Sequence, residues 1–148
     1  MKKIYFVCMG NYYRSRLAEE LALHYATLLG VDIQVDSGGL SNIPNPNNPG
    51  TIAKAVLQYL DDKRIQPRGA TRYPKSCVVE DIDTADLLVL TDVDEQSVLF
   101  QGRFPGYKGQ IIGWDAHDIQ YAPIPSTVAL IDQKVNELIL NLQLDKKA

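Results

Sequence analysis

Cysteine is scarce in this chain: Cys8 and Cys77 are the two among 148 residues. Two are too few for a disulfide scaffold, and they suit a reducing compartment in which a thiol stays available for chemistry. Histidine is as rare. His24 falls inside a helical pattern and His117 stands alone, so the sequence offers no metal site and implies no cofactor. Positive charge is not in excess either. Fifteen basic against 18 acidic side chains give a net charge of -3, which leaves no broad basic footprint for nucleic acid. A small basic pocket for an anion stays open. Long hydrophobic runs are missing, and nothing approaches the roughly 18 apolar residues of a membrane span. Lys2 and Lys3 before the apolar residues 4–7 faintly suggest a signal peptide, but that run is too short and Asn11, Arg14 and Arg16 follow at once. The expectation is a cytoplasmic protein with no nucleic-acid and no membrane partner.

What is present reads as one domain over residues 1–148, with 45% hydrophobic and 22% charged side chains. Residues 3–7 are a β-branched and aromatic run, hence a buried strand. Residues 15–29 carry an apolar stripe at helical spacing through Leu17, Leu21, Tyr25 and Leu28, with Ser15 as candidate N-cap and Gly30 just past the end. Residues 31–36 alternate as a second strand. The stretch 37–50 holds three prolines and three glycines and reads as a loop. Helical spacing returns over 51–60, and a basic connection with Arg64, Arg68 and Arg72 follows, by default a solvated loop. Residues 86–91 form a third strand, 93–100 a short helix, 110–113 a fourth strand and 125–144 the longest helix. Strands alternating with helices predict an α/β fold of three layers, a four-stranded parallel sheet flanked by helices. In such folds ligands bind at the C-terminal ends of the strands. Cys8, Ser37, Asp92, Asp115 and Asp118 fall at that edge.

The stretch CMGNYYRS, residues 8–15, is the most informative. A cysteine six residues before an arginine, between a strand and a helix, has two readings. One is a small buried hydrophobe closing a strand. The other is a thiol at the centre of an anion-binding turn. Arg14 offers a planar fork suited to two phosphoryl oxygens, and the helix beginning near Ser15 adds its positive N-terminal end. Gly10 permits unusual backbone angles, and Asn11 tolerates the left-handed region. Ser15 is placed to donate to a Cys8 thiolate, the ionised form that helix N-termini and nearby cations favour.

These residues resemble the phosphate-binding loop of the low-molecular-weight protein tyrosine phosphatases, written V-C-x-G-N-x-C-R-S-P-x-A-E. Val7, Cys8, Gly10, Asn11, Arg14, Ser15, Ala18 and Glu19 match in register. Residues 35–39 look like the family's D-S-A-G-T, and residues 85–92 are similar to its A-D-L-I-L-x-M-D strand. The resemblance implies that Cys8 attacks phosphorus and forms a phosphocysteine. Arg14 and the loop from Met9 through Gly10, Asn11, Tyr12 and Tyr13 to Ser15 would hold the phosphate, and Asn11 and Ser37 would keep the loop in shape. The substrate would be a phosphorylated protein or a small aryl phosphate, with phosphate or another oxyanion in the loop. An aspartate would protonate the leaving group and then activate water.

Three departures and a candidate aromatic rim stand out. The family's Asp-Pro pair is missing; the sequence WDAHDI puts Asp118 at the acid's spacing, with Asp115 as the alternative. Tyr13 stands where a second loop cysteine is common, so a protective disulfide is lost unless Cys77 can reach. Arg16 replaces a proline and adds positive charge for an acidic peptide. Tyr12, Trp114 and Tyr121 suggest an aromatic rim for a phenyl ring, although Trp114 and Tyr121 fit the core or the surface equally well. Two other functions share these residues: an arsenate reductase-like oxyanion enzyme, for which Cys77 is the sole further cysteine, and a catalytically weak phosphate- or phosphopeptide-binding module.

Overall fold

The computed structural model describes residues 1–41 and 43–147, with side chains through residue 145. Strand β1 (Lys2–Cys8) leads into helix α1 (Arg14–Leu29), followed by β2 (Ile33–Gly39), α2 (Lys54–Asp62) and α3 (Val79–Asp83). Then come β3 (Leu87–Leu90), α4 (Val93–Arg103), β4 (Gln110–Gly113) and α5 (Ile124–Lys147). The four strands are all parallel, in the order β2-β1-β3-β4. Parallel neighbours need long crossovers, and the helices supply them. No helix among the described residues is long and apolar enough to cross a membrane.

Each central strand feeds two cores because both sheet faces are covered. Ile4 and Phe6 of β1 and Leu87 and Val89 of β3 join α1, α2 and α5 on one side. Tyr5 and Val7, with Leu88 and Leu90, meet Ile82 of α3 and Phe100 of α4 on the other. Hence both strands read as unbroken apolar runs, as strands buried on two faces do. Fully burying a side chain such as Leu17 or Leu21 contributes about 1.5–3 kcal/mol, and both are completely buried, whereas Leu28, expected in the same stripe, is exposed. Gly30 ends α1 in the left-handed conformation at φ +67°, as predicted.

Strand β2 runs three residues further than its sequence pattern suggests, through Ser37, Gly38 and Gly39. The glycines are there for close approach. A Cβ on Gly38 would lie 2.0 Å from the Tyr5 hydroxyl, and one on Gly39 would lie 2.5 Å from the Met9 carbonyl. A pattern that signals a loop is here the end of a strand paired with β1 and packed tightly against the Tyr5 side chain and the Met9 carbonyl. Helix α3 was absent from the sequence reading, and α2 begins at Lys54 rather than residue 51.

The strand order reverses direction between β1 and β3, so the crevice at their C-terminal ends is the expected binding edge. Cys8 closes β1 at that edge, and Asp92 caps α4 just beyond β3, its side chain accepting from the Glu95 N–H at 3.4 Å.

Candidate active site

The loop between β1 and α1 is fixed by hydrogen bonds that converge on Cys8. Its sulfur lies 2.9 Å from Ser15 Oγ and accepts the Asn11 backbone N–H at 3.2 Å. Ser15 is therefore not the N-cap of α1. The cap is Tyr13, with no side-chain bond, while the Ser15 hydroxyl turns inward to the loop. Nor is Gly10 among the residues with positive φ. Asn11 takes the left-handed conformation, at φ +49°. A non-glycine residue there carries strain, and the side chain of Asn11 is correspondingly well tied. Its Nδ2 donates to Ser15 Oγ and to Ser37 Oγ, both at 2.9 Å. Its Oδ1 accepts from the Lys75 N–H at 3.0 Å and from Arg72 Nη1 at 3.1 Å.

Arg72 is the residue that sequence reading misplaced. It was expected in a solvated loop. Instead its Nη2 bonds Glu19 Oε1 at 2.8 Å and Ser37 Oγ at 2.9 Å. Ser37 in turn donates to Glu19 Oε1 at 2.5 Å. One guanidinium thus braces Asn11, Ser37 and Glu19 from below. Arg16 is corrected as well. It is buried, with its two terminal nitrogens donating to the Thr51 and Gly69 carbonyls at 2.9 and 2.7 Å. Burial lowers its pKa, and it offers no exposed charge to a substrate.

Arg14 is also buried, and both terminal nitrogens of its fork are engaged by protein acceptors. Nη1 donates to the Ala116 carbonyl at 2.9 Å and Nη2 to Glu95 Oε1 at 2.8 Å, with Asp92 Oδ2 3.7 Å away. Burial works against its charge, but Cys8 and Glu95 outweigh it and raise its pKa, so the cation is held firmly. Asp92 also bonds His117 Nδ1 at 2.9 Å, so His117 does not stand alone. Glu95 was not singled out from the sequence. Its signal was the Asp92-x-x-Glu95 pattern at a helix start on the functional edge.

Cys8 and Arg14 line a cavity of about 350 Å³ whose walls include Tyr12, Tyr13, Glu95 and Asp118. Asp115 is not among its lining residues; it is exposed, and its backbone bridges to Asp92. Trp114 is not part of a rim. It is buried in the first core, its ring 5.8 Å from that of Phe6. Tyr121 is exposed and does not line the cavity. Tyr12 does, with its hydroxyl donating to the Pro49 carbonyl at 2.5 Å. A cavity of about 390 Å³ at the opposite end of the strands, near Met1 and Asp145, contains none of these groups. Cys77 packs in the second core with Tyr5, and burial pushes its thiol up to about 12. Among the described residues no group of His, Cys, Asp and Glu is placed to hold a metal ion.

A thiol, a fixed guanidinium and a carboxylate thus share one crevice at the ligand-binding edge of a doubly covered parallel sheet. The model of the low molecular weight phosphotyrosine protein phosphatase family matches residues 3–121, and the chain belongs to that family. No curated protein matches it. Among solved structures, a Bacillus subtilis YwlE mutant is 22% identical with 100% of each chain covered and a TM-score of 0.77. A protein tyrosine phosphatase from Entamoeba histolytica is 18% identical, with 99% of each chain covered and a TM-score of 0.81. A thioredoxin-dependent arsenate reductase from Corynebacterium glutamicum is 21% identical over 98% of this chain and 63% of its own, at a TM-score of 0.71. At such identities the likeness concerns the fold.

Proposed function

We propose that the protein hydrolyses aryl phosphate monoesters, phosphotyrosine among them, in two steps through a phosphocysteine. The Cys8 thiolate attacks phosphorus while the bond to the aryl oxygen breaks and Asp118 gives that oxygen its proton. Asp118, now a carboxylate, then takes a proton from water as the water attacks phosphorus. The P–S bond breaks, releasing inorganic phosphate and the thiolate. Arg14 and the loop amides bear the charge on the equatorial oxygens. The observation that carries this reading is the convergence of Cys8, Arg14 and Asp118 on one cavity. Tyr12 and Tyr13 on its walls suit an aromatic leaving group. The reductase reading has less support, since Cys77 lies buried in the second core with its thiol held protonated.

The test is p-nitrophenyl phosphate hydrolysis by wild type, Cys8→Ser, Asp118→Asn and Asp115→Asn. Cys8→Ser is expected to abolish turnover. Asp118→Asn is expected to lower kcat by about 10²–10⁴, the range of a positioned proton donor, and Asp115→Asn to leave it within about twofold. Wild-type release that does not depend on Cys8, or no release at all, would favour the binding module. Loss in Asp115→Asn alone would reassign the acid.

A further inference from the structure

We propose that Glu95 sets how tightly the site holds an oxyanion: its carboxylate shares Arg14 with the bound phosphate and weakens the grip on it. The inference rests on the phosphatase reading above for its seat of phosphate beside Cys8 and Arg14, and adds a residue that tunes affinity and product release. Glu95 Oε1 accepts from Arg14 Nη2 at 2.8 Å, and Glu95 lines the same cavity as Cys8 and Arg14. Its side chain is 23% exposed against 3% for Arg14, so the carboxylate reaches solvent where the guanidinium does not.

Helix capping does not account for Glu95. It is the third residue of α4 after the cap Asp92, and a glutamate there ordinarily turns back to accept the N–H of the capping residue. In this chain the Asp92 N–H goes to Gln96 Oε1 at 3.1 Å. Gln96 is fully buried, and its Nε2 donates to Thr91 Oγ1 at 3.1 Å and to Glu95 Oε1 at 3.2 Å. Gln96 thus takes over the capping bond and helps to hold the Glu95 carboxylate on the guanidinium.

A guanidinium carries five N–H donors. The Ala116 carbonyl and Glu95 Oε1 engage one donor each on Arg14, which leaves enough for two phosphoryl oxygens with Glu95 in place. Donors therefore do not limit binding; charge does. Among the described residues Arg14 is the one cationic side chain on the cavity wall, while Glu95 and Asp118 both bring carboxyl groups. Asp92 Oδ2 adds a further carboxylate 3.7 Å from Arg14 Nη1. An arriving phosphate dianion meets a cation that is already balanced. Two anions on one cation repel each other, and a site shielded from water strengthens that repulsion. Loose binding serves the end of the cycle, because inorganic phosphate must leave Arg14 before the next turnover.

The test measures Kd for inorganic phosphate and for sulfate by titration calorimetry, with kcat and KM for p-nitrophenyl phosphate, in wild type, Glu95→Gln, Glu95→Asn and Asp94→Asn. Asp94 is the control, an exposed acid beside Glu95 that is not on the cavity wall. Glu95→Gln keeps an oxygen for Arg14 and removes the charge. Both Glu95 variants are expected to bind phosphate and sulfate about tenfold more tightly, the scale of one like charge a few ångströms away. KM should fall with Kd in Glu95→Gln, and Asp94→Asn should stay within about twofold on every measure. A residue that only positioned Arg14 would give the opposite, weaker binding and a higher KM in both Glu95 variants. That result, unchanged Kd values, or an equal gain in Asp94→Asn would overturn the inference and leave the phosphatase reading intact so long as turnover depends on Cys8. Tighter binding in the Glu95 variants without Cys8-dependent turnover would support the inference and overturn the phosphatase reading. No binding of either anion by any of the four proteins would overturn the inference together with the phosphate seat it rests on.

Discussion

Ser15 Oγ lies 2.9 Å from Cys8 Sγ, and the direction of that bond is fixed by a third residue. Asn11 Nδ2 donates to the same oxygen at 2.9 Å. The orientation of the Asn11 amide is itself determined, because its Oδ1 accepts from the Lys75 N–H and from Arg72. With a lone pair engaged by Asn11, the Ser15 hydroxyl has its proton free for the sulfur. The hydroxyl therefore donates to Cys8 and stabilises the thiolate form. Ser15→Ala removes one hydrogen bond to a charged group, worth about 1.5–3 kcal/mol, and so about 10- to 160-fold in kcat for p-nitrophenyl phosphate. A change of less than twofold would show that the hydroxyl does not act on the sulfur.

Arg72 and Glu19 form the brace beneath that arrangement, and they should behave as a coupled pair. Arg72 is 29% exposed at its side chain and Glu19 14%, so each loses a partly desolvated partner when the other is removed. Arg72→Ala is expected to cost about 1–3 kcal/mol in denaturant unfolding and to lower kcat, since Asn11 and Ser37 lose a donor. The double variant Arg72→Ala/Glu19→Ala should lose about 0.5–3 kcal/mol less than the sum of the single changes, the coupling seen within one network. Strict additivity of the three unfolding free energies would refute the brace.

The parts of the fold legible in sequence are those where local pattern and tertiary environment agree. Residues 4–7 and 87–90 are apolar throughout because helices cover both faces of β1 and β3. Leu17, Leu21 and Gly30 mark α1 because its buried stripe and its left-handed end are local features. Cys8 and Arg14 were legible because the loop places both within one short turn. What was missed depends on contacts distant in sequence. Nothing near Arg16 announces that the carbonyls of Thr51 and Gly69 will consume its nitrogens. Nothing near Arg72 announces Asn11 or Glu19. Gly38 and Gly39 signal a loop until Tyr5 and Met9 are found against them. Helix α3, five residues long, is too short to show a period.

The two cysteines should differ sharply toward alkylating reagents. Cys77 is buried beside Tyr5, and its thiol is pushed up to about 12 by burial, so at pH 8 it stays protonated and enclosed. Cys8 is just as buried by exposed area, but it lines the cavity of about 350 Å³ beside Arg14, which Cys77 does not. Iodoacetamide at pH 8 is expected to give a single adduct, located at Cys8 by peptide mass spectrometry and suppressed by added inorganic phosphate. An adduct at Cys77 in the folded protein would contradict its placement in the second core.

His117 supplies a pH dependence that runs opposite to that of a salt-bridged carboxylate. Its Nδ1 lies 2.9 Å from Asp92 Oδ2, and this bond, with the charges of Asp92, Asp115 and Asp94, raises its pKa above the usual 6.5. The folded protein thus holds the proton more tightly than the unfolded chain does. The resulting stabilisation is fully present below about pH 6.5, the unfolded value, and is lost as pH rises through the higher folded value. The pair matters to the site because Asp92 also faces Arg14, and Ala116, next to His117, accepts the Arg14 hydrogen bond. The imidazole is exposed, so the effect is small in absolute terms, but its sign is definite. His117→Asn should melt below wild type at pH 5.5, and the gap should close by pH 9. A gap that is constant with pH, or one that widens as pH rises, would mean that protonated His117 does not support the turn carrying Ala116 and Asp118.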